Sequence, residues 1–133
     1  MPLIVIDASA VLELLLRTEK GKKVEARAIT PEEGLHAPHL LDIEVTQALR
    51  RLTQLKEITP IRAKEALGDH SALLIERAAH YDLLPRVWEL RESVTAYDAA
   101  YVTLAEALDA PLLTCDGKLA RSHGHRAKIE LIE

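Results

Sequence analysis

The chain has 133 residues, 48% of them hydrophobic, which fits one domain with a real core. A formal net charge of -4 argues against non-specific duplex binding through bulk positive charge, though not against an enzyme whose site is itself acidic. No run reaches the roughly 18 unbroken apolar residues of a membrane span, the Met1-Pro2 start lacks the charged region of a secretory signal, and the one cysteine, Cys115, excludes an internal disulfide and fits a reducing, cytoplasmic setting.

Leu3, Ile4, Val5 and Ile6 are apolar in succession rather than alternating, the pattern of a strand covered on both faces within a parallel sheet, and the run stops at Asp7. Ala8 to Arg17 carries Ala8, Val11, Leu12, Leu15 and Leu16 at helical spacing, with Asp7 or Ser9 available as cap. Residues 18–24 read as a break with a small basic cluster, followed by a short helix to about Ala28 that ends before Thr30-Pro31. Leu35-His36-Ala37 is a strand by its place in the order more than by propensity. His39 to Leu55 is a helix lined by Leu41, Val45, Leu49 and Leu52, with Glu44 about 60° off that stripe at ~100° per residue.

Thr59-Pro60 opens another helix, expected to stop before Gly68. Ala72 to Ile75 is read as a brief strand and Asp82 to Arg91 as a helix with Pro85 in its first turn. Thr95 starts a helix on which Tyr97, Ala100, Tyr101, Leu104, Ala105 and Leu108 share a face, placing Tyr97 and Tyr101 in the core. Leu112 to Thr114 is a strand, Lys118 to Ser122 a helical turn or two, and Ile129 to Ile132 a last strand. The order β-α-α-β-α-α-β-α-α-β-α-β predicts one α/β domain over residues 1–133, a three-layer α/β/α sandwich with a mostly parallel central sheet.

Four carboxylates stand at element ends: Asp7 after the first strand, Glu44 early in a helix, Asp98 in a first helical turn, and Asp116 after the Leu112–Thr114 strand. In an open parallel sheet, strand ends and following helix starts gather on one edge, so the four can share a cleft. Mutual repulsion there is relieved by a divalent cation, and all-oxygen ligation favours Mg2+ or Mn2+ over zinc. Each acid also has an ordinary reading. Asp7 caps a helix, Asp98 follows Thr95 at capping-box spacing, Asp116-Gly117 is turn chemistry, and Glu44 is a common surface residue. Residue pattern alone reaches an α/β domain with a candidate metal site.

The segments Ile4-Val-Ile-Asp-Ala-Ser-Ala-Val-Leu12, Pro38-His-Leu-Leu-Asp-Ile-Glu-Val-Thr-Gln-Ala-Leu49, Val94-Thr-Ala-Tyr-Asp-Ala-Ala-Tyr-Val102 and Pro111-Leu-Leu-Thr-Cys-Asp-Gly-Lys-Leu-Ala120 span most of the chain. In that order they resemble the PIN-domain ribonucleases, specifically VapC-type toxins of toxin–antitoxin pairs. The resemblance implies Mg2+- or Mn2+-dependent RNA cleavage by a metal-activated water, leaving 5′-phosphate and 3′-hydroxyl ends. It also implies a homodimer and a cognate VapB-type antitoxin. The family's acids fall on Asp7, Glu44, Asp98 and Asp116, and its small hydroxyl residue on Ser9; Asp42 is an extra acid outside the motif. Ser93 departs from the Asn that members often carry. Positive charge for RNA is expected from Lys118, Arg121, Arg126 and Lys128, with His123 and His125 among them, and from Arg91. The alternatives are a PIN-type nuclease acting on single-stranded DNA or a flap, and an inactive PIN-like module that keeps only an antitoxin groove.

Overall fold

A computed structural model describes residues 2–30 and 34–133. Among them, five strands, β1 (Leu3–Ile6), β2 (Gly34–Pro38), β3 (Ile75–Ala78), β4 (Leu112–Thr114) and β5 (Ile129–Leu131), form one sheet in the order β3-β2-β1-β4-β5. Every pairing is parallel. The helices are α1 (Ala8–Leu16), α2 (Glu19–Ala28), α3 (Leu40–Gln54), α4 (Pro60–Ala72), α5 (Leu84–Glu89), α6 (Ala96–Leu108) and α7 (Gly117–Ala120), with a 3-10 turn at Tyr81–Leu83 before α5. The fold is the expected α/β class, and the element order is the one read from the sequence.

The strand order explains the layering. From β1 the chain steps to β2 and then to β3, crosses back to β4, and continues outward to β5. Right-handed crossovers therefore lay α1 to α4 on one face and α5 to α7 on the other. α1 packs against α2, α3 and α4, while α6 lies across β1, β2 and β4. Ile4, Val5 and Ile6 are at most 1% exposed because both faces of β1 are covered, which is why the run does not alternate.

Four expectations shift. α4 continues through Gly68 to Ala72, since no atom outside the helix crowds that glycine and one isolated glycine does not end a helix. β3 accordingly starts at Ile75, and Leu74, which drew the strand reading by its hydrophobicity, is 93% exposed in the connection. An edge strand needs few apolar residues, and in β3 only Ile75 is buried. α2 begins at Glu19, inside the segment read as a break, because the Thr18 hydroxyl accepts the Gly21 N–H at 3.0 Å and caps it. Tyr97 is 62% exposed rather than in the core, whereas Tyr101 is 2% exposed. α2 ends at Ala28, and Pro31, expected just beyond its end, lies outside the described residues.

Gly21 has a tertiary reason. A Cβ built there would lie 2.0 Å from the Glu13 carbonyl oxygen of α1, so α1 and α2 can touch only where one of them lacks a side chain. Thr18 reinforces the corner by donating to the Glu13 carboxylate. Substituting Gly21→Ala is expected to cost about 2 kcal/mol of folding free energy or more, measured by urea unfolding, through forced separation of the two helices. An unchanged midpoint would show that the contact is not tight.

Candidate active site

The strand order reverses between β1 and β4, and in open parallel sheets the crevice beyond the strand C-termini at that reversal is where ligands bind. Asp7 leaves β1 there and Asp116 follows β4 by two residues. Asp7 is 5% exposed and fully engaged. Its Oδ1 accepts the Ala10 N–H at 2.9 Å, capping α1, and the Ser9 hydroxyl at 2.7 Å; its Oδ2 accepts the Thr114 hydroxyl at 2.5 Å. The cap reading is thus correct, and it leaves one carboxylate oxygen turned to β4. Burial pushes the carboxyl up to about 6, against the lowering effect of Thr114, Ala10 and Ser9, with a further upward push from Asp116.

Ser9 and Thr114 join the two strand ends. Their hydroxyls lie 3.1 Å apart, Ser9 Oγ accepts the Cys115 N–H at 3.0 Å, and Thr114 Oγ1 accepts the Asp116 N–H at 2.9 Å. Asp116 Oδ1 accepts the Lys118 N–H at 2.9 Å, which caps α7. Asp98 sits in the first turn of α6, whose cap is Thr95, its hydroxyl accepting the Asp98 N–H at 3.1 Å. Burial raises the Asp98 carboxyl, Asp116 raises it further, and Lys118 partly opposes both.

Glu44 comes from α3, where Tyr101 of α6 donates its hydroxyl to Oε1 at 2.6 Å. Burial raises Glu44 and so does the charge of Asp98. Tyr101, itself buried and facing Glu44, is held strongly in its neutral, donating form. The structure therefore links the four acids electrostatically, Asp7 with Asp116, Asp116 with Asp98, and Asp98 with Glu44. Among the described residues none of the four forms an ion pair. Nor do three Asp, Glu, His or Cys side chains converge as a preformed cage.

Asp42 has a different fate from Glu44. Its Oδ1 accepts Arg77 at 2.8 Å and faces His70 Nε2 at 2.7 Å, and the Arg77 hydrogen bond holds its carboxyl below the ordinary range. It is neutralised on the α4 and β3 side. Burial pushes the Cys115 thiol up to about 11, so it stays protonated near neutral pH and is no nucleophile there.

The basic residues divide. Arg91, Lys118 and Arg121 line a cleft of about 500 Å3 together with Asp98. Arg126 and Lys128 instead border a second cleft with Asp109 and Pro111; the Lys128 carbonyl accepts from Leu112 N–H at the start of β4, opposite the strand end that carries Asp116. Those two therefore do not continue the track formed by Lys118 and Arg121. His125 Nδ1 accepts the Ala127 N–H and its Nε2 meets Ser122 Oγ at 2.9 Å, which closes the loop between them. Ser93 borders the first cleft, and Gly124, at φ +90, lies against it so closely that a Cβ would stand 2.5 Å from Ser93 Oγ. Sequence reasoning missed Thr114 and the hydroxyl of Tyr101 as partners of the acids. The one signal for Thr114 is its place two residues before Asp116 at the strand end, where its hydroxyl accepts the Asp116 N–H.

The PIN domain family profile matches residues 4–123. The chain belongs to the PIN-domain family. It is 41% identical over 130 residues to Ribonuclease VapC12 of Mycobacterium tuberculosis, covering 98% of this chain and 99% of that one. With Ribonuclease VapC1 of the same organism it shares 43% identity over 132 residues, 96% of each chain. Among solved structures, VapBC2 from Rickettsia felis, bound to a promoter DNA fragment, superposes with a TM-score of 0.71 at 12% identity over 98% of this PIN domain and 99% of that chain. PAE2754 from Pyrobaculum aerophilum gives a TM-score of 0.67 at 25% identity over 96% and 83%.

The folded Asp7 carboxyl titrates near 6 and an unfolded one near 4, so between these values the folded PIN domain holds a proton that the unfolded chain has released. Stability then falls as pH rises through that window. With metal chelated, Asp7→Asn removes this slope, and the variant is expected to gain on the wild type by about 1–3 kcal/mol between pH 4 and pH 7 in denaturant unfolding. An identical difference at both pH values would show that Asp7 carries no such penalty.

Proposed function

We propose that this PIN domain is an endoribonuclease toxin dependent on Mg2+ or Mn2+, acting as a homodimer and held in check by a VapB-type antitoxin. The observation that carries the reading is the set of four acids, Asp7, Glu44, Asp98 and Asp116, at the sheet reversal. Three of them are raised by burial or by one another, and among the described residues none of the four forms an ion pair. A donor set of carboxylate and hydroxyl oxygens fits a hard cation. The names of the relatives, both VapC ribonucleases at over 40% identity, support the same chemistry.

In this reading Asp7, Glu44, Asp98 and Asp116 hold the ion. When bound, it supplies an acidified water nucleophile and neutralises charge developing on the phosphodiester. The protein's own contributions are specific. Thr114, Ser9 and the Ala10 N–H fix the Asp7 carboxylate, so that its orientation is set before any ligand arrives. Tyr101 fixes Glu44 in the same way. Lys118, Arg121 and Arg91 bring positive charge to the cleft beside Asp98 and bind substrate phosphates. His123 borders the cleft with Asp98, but among the described residues no His is hydrogen-bonded to any of the four acids, so proton removal is assigned to solvent and the carboxylates.

Purified protein freed of antitoxin is expected to cleave single-stranded RNA with Mn2+ and to stop with chelator. Glu44→Gln and Asp98→Asn should each lower kcat by about a hundredfold or more, with the circular dichroism spectrum unchanged. They should also abolish the rise in Tm that Mn2+ gives the wild type. Tyr101→Phe is expected to lose about tenfold, as a positioning residue would. Equal cleavage of single-stranded DNA would favour the DNA-nuclease alternative, and an ion-dependent Tm rise with no cleavage of any cellular RNA would favour the inactive module.

A further inference from the structure

Trp88 is 67% exposed, at the end of α5, and its ring is not bare. The Arg91 guanidinium carbon lies 4.4 Å from the ring centroid, and Arg91 Nη1 donates to the Trp88 carbonyl at 3.0 Å. Among the described residues Arg91 is in no ion pair, although Glu89 and Glu92 are close in sequence; Glu89 pairs with Arg86 at 3.7 Å instead. A guanidinium with five donors is thus fixed by an aromatic face and a carbonyl, with most of its hydrogen-bonding capacity unspent.

Arg91, Val94 and Thr95 border two adjoining spaces. One is the cleft holding Asp98, Lys118 and Arg121; the other is an apolar groove of about 410 Å3 completed by Leu84, Val87 and Trp88. We propose that this groove is a nucleobase subsite, in which the stacked Trp88–Arg91 pair receives the unstacked base of a nucleotide whose phosphate lies in the adjoining cleft with Lys118 and Arg121. The inference rests on the ribonuclease reading and deepens it. A nucleotide is the ligand whose two halves match the two spaces, an anion for Arg91, Lys118 and Arg121 and a flat π-face for the groove. Base stacking on aromatic and guanidinium planes is the common mode for single-stranded RNA.

Trp88 is the sole tryptophan, so its emission reports on the groove alone. In the full-length protein with chelator, which separates binding from cleavage, a mixed-sequence single-stranded RNA oligomer is expected to quench that emission. Inorganic polyphosphate of matched charge should not. With Mn2+ and an RNA that the wild type cleaves, Trp88→Leu and Arg91→Ala should raise KM about tenfold while kcat changes less than threefold, and Arg91→Lys should not restore KM because the planar stack is lost. Trp88→Phe should restore most of it. A Tm and a Mn2+ response equal to wild type show that each variant is folded. Equal quenching by polyphosphate, or an unchanged KM in folded Trp88→Leu, overturns the subsite. So does an emission change that follows protein concentration without RNA, which would assign the groove to a second copy. RNA-specific quenching in a protein that cleaves no RNA keeps the subsite and overturns the ribonuclease reading instead.

Discussion

The structure turns on one buried carboxylate. Asp7 ends the central strand, caps the following helix and accepts a hydroxyl from β4, so a single side chain ties together β1, α1 and β4. Those are the elements that meet where the strand order reverses. The three hydrogen bonds partly offset the desolvation of the charge, which still leaves the carboxyl titrating near 6. A domain seeking only stability would place a neutral cap there, because an N-cap Ser, Thr or Asn satisfies the same helix donor without burying a charge. Under the proposed metal-dependent function the retained cost makes sense as preorganisation, the carboxylate being held in place before a cation arrives.

The other acids repeat the device with less burial. Glu44 is fixed by a tyrosine from the opposite helical layer, and Asp98 sits over a Thr cap at the start of α6. α6 spans β1, β2 and β4, so it carries both the Asp98 carboxylate and the Tyr101 hydroxyl to the same sheet edge. Tyr101 passes through the core to reach Glu44, which makes the core part of the site: a substitution there acts on the acid's position as well as on packing. The bidentate Arg86 to Glu106 pair, with the Arg126 N–H on the same carboxylate, anchors the other end of α6 to α5 and the C-terminal segment. Glu106 is held down to about 2 by Arg86, so that anchor stays ionised while the raised carboxyls of Asp7, Glu44 and Asp98 titrate.

The sequence showed the positions of the acids because they lie at element ends, and element ends follow from periodicity, caps and turn residues. Topology then did the rest, since a parallel sheet with long crossovers leaves one edge for all of them. What stayed hidden was tertiary in origin. Gly21 looks like a helix break until the Glu13 carbonyl is placed against it. β3 carries little hydrophobic signal because it is an edge strand, and the more apolar Leu73-Leu74 drew the reading away from it. Tyr97 and Tyr101 lie four apart on one helix and look alike, yet one is exposed and one is the partner of Glu44; periodicity gives the face of a helix and not how far the neighbouring layer extends over it. The basic run after Asp116 looked continuous in sequence, but the chain turns across the sheet between Arg121 and Arg126.

That division resolves how an acidic chain could hold an anionic polymer. Net charge counts residues, whereas binding depends on which cations lack a carboxylate partner near the site. Arg27 is matched by Glu130, Arg77 by Asp42, and Arg86 by Glu106. Among the described residues Arg91, Lys118 and Arg121 have no such ion pair, and they line the cleft beside Asp98. Their field falls off over about one Debye length, roughly 8 Å at physiological salt, so it acts on a phosphate within the cleft and is screened from the acidic remainder of the surface. The charges stay apart because each is anchored on its own element: the Asp7 carboxylate by the Ser9 and Thr114 hydroxyls, Glu44 by the Tyr101 hydroxyl, Asp116 by the start of α7, and Arg91 by an indole. Under the metal-dependent ribonuclease proposed above, such a site would keep its carboxylates for a cation and its guanidinium for an anion, the separation that cleaving a phosphodiester with a metal requires.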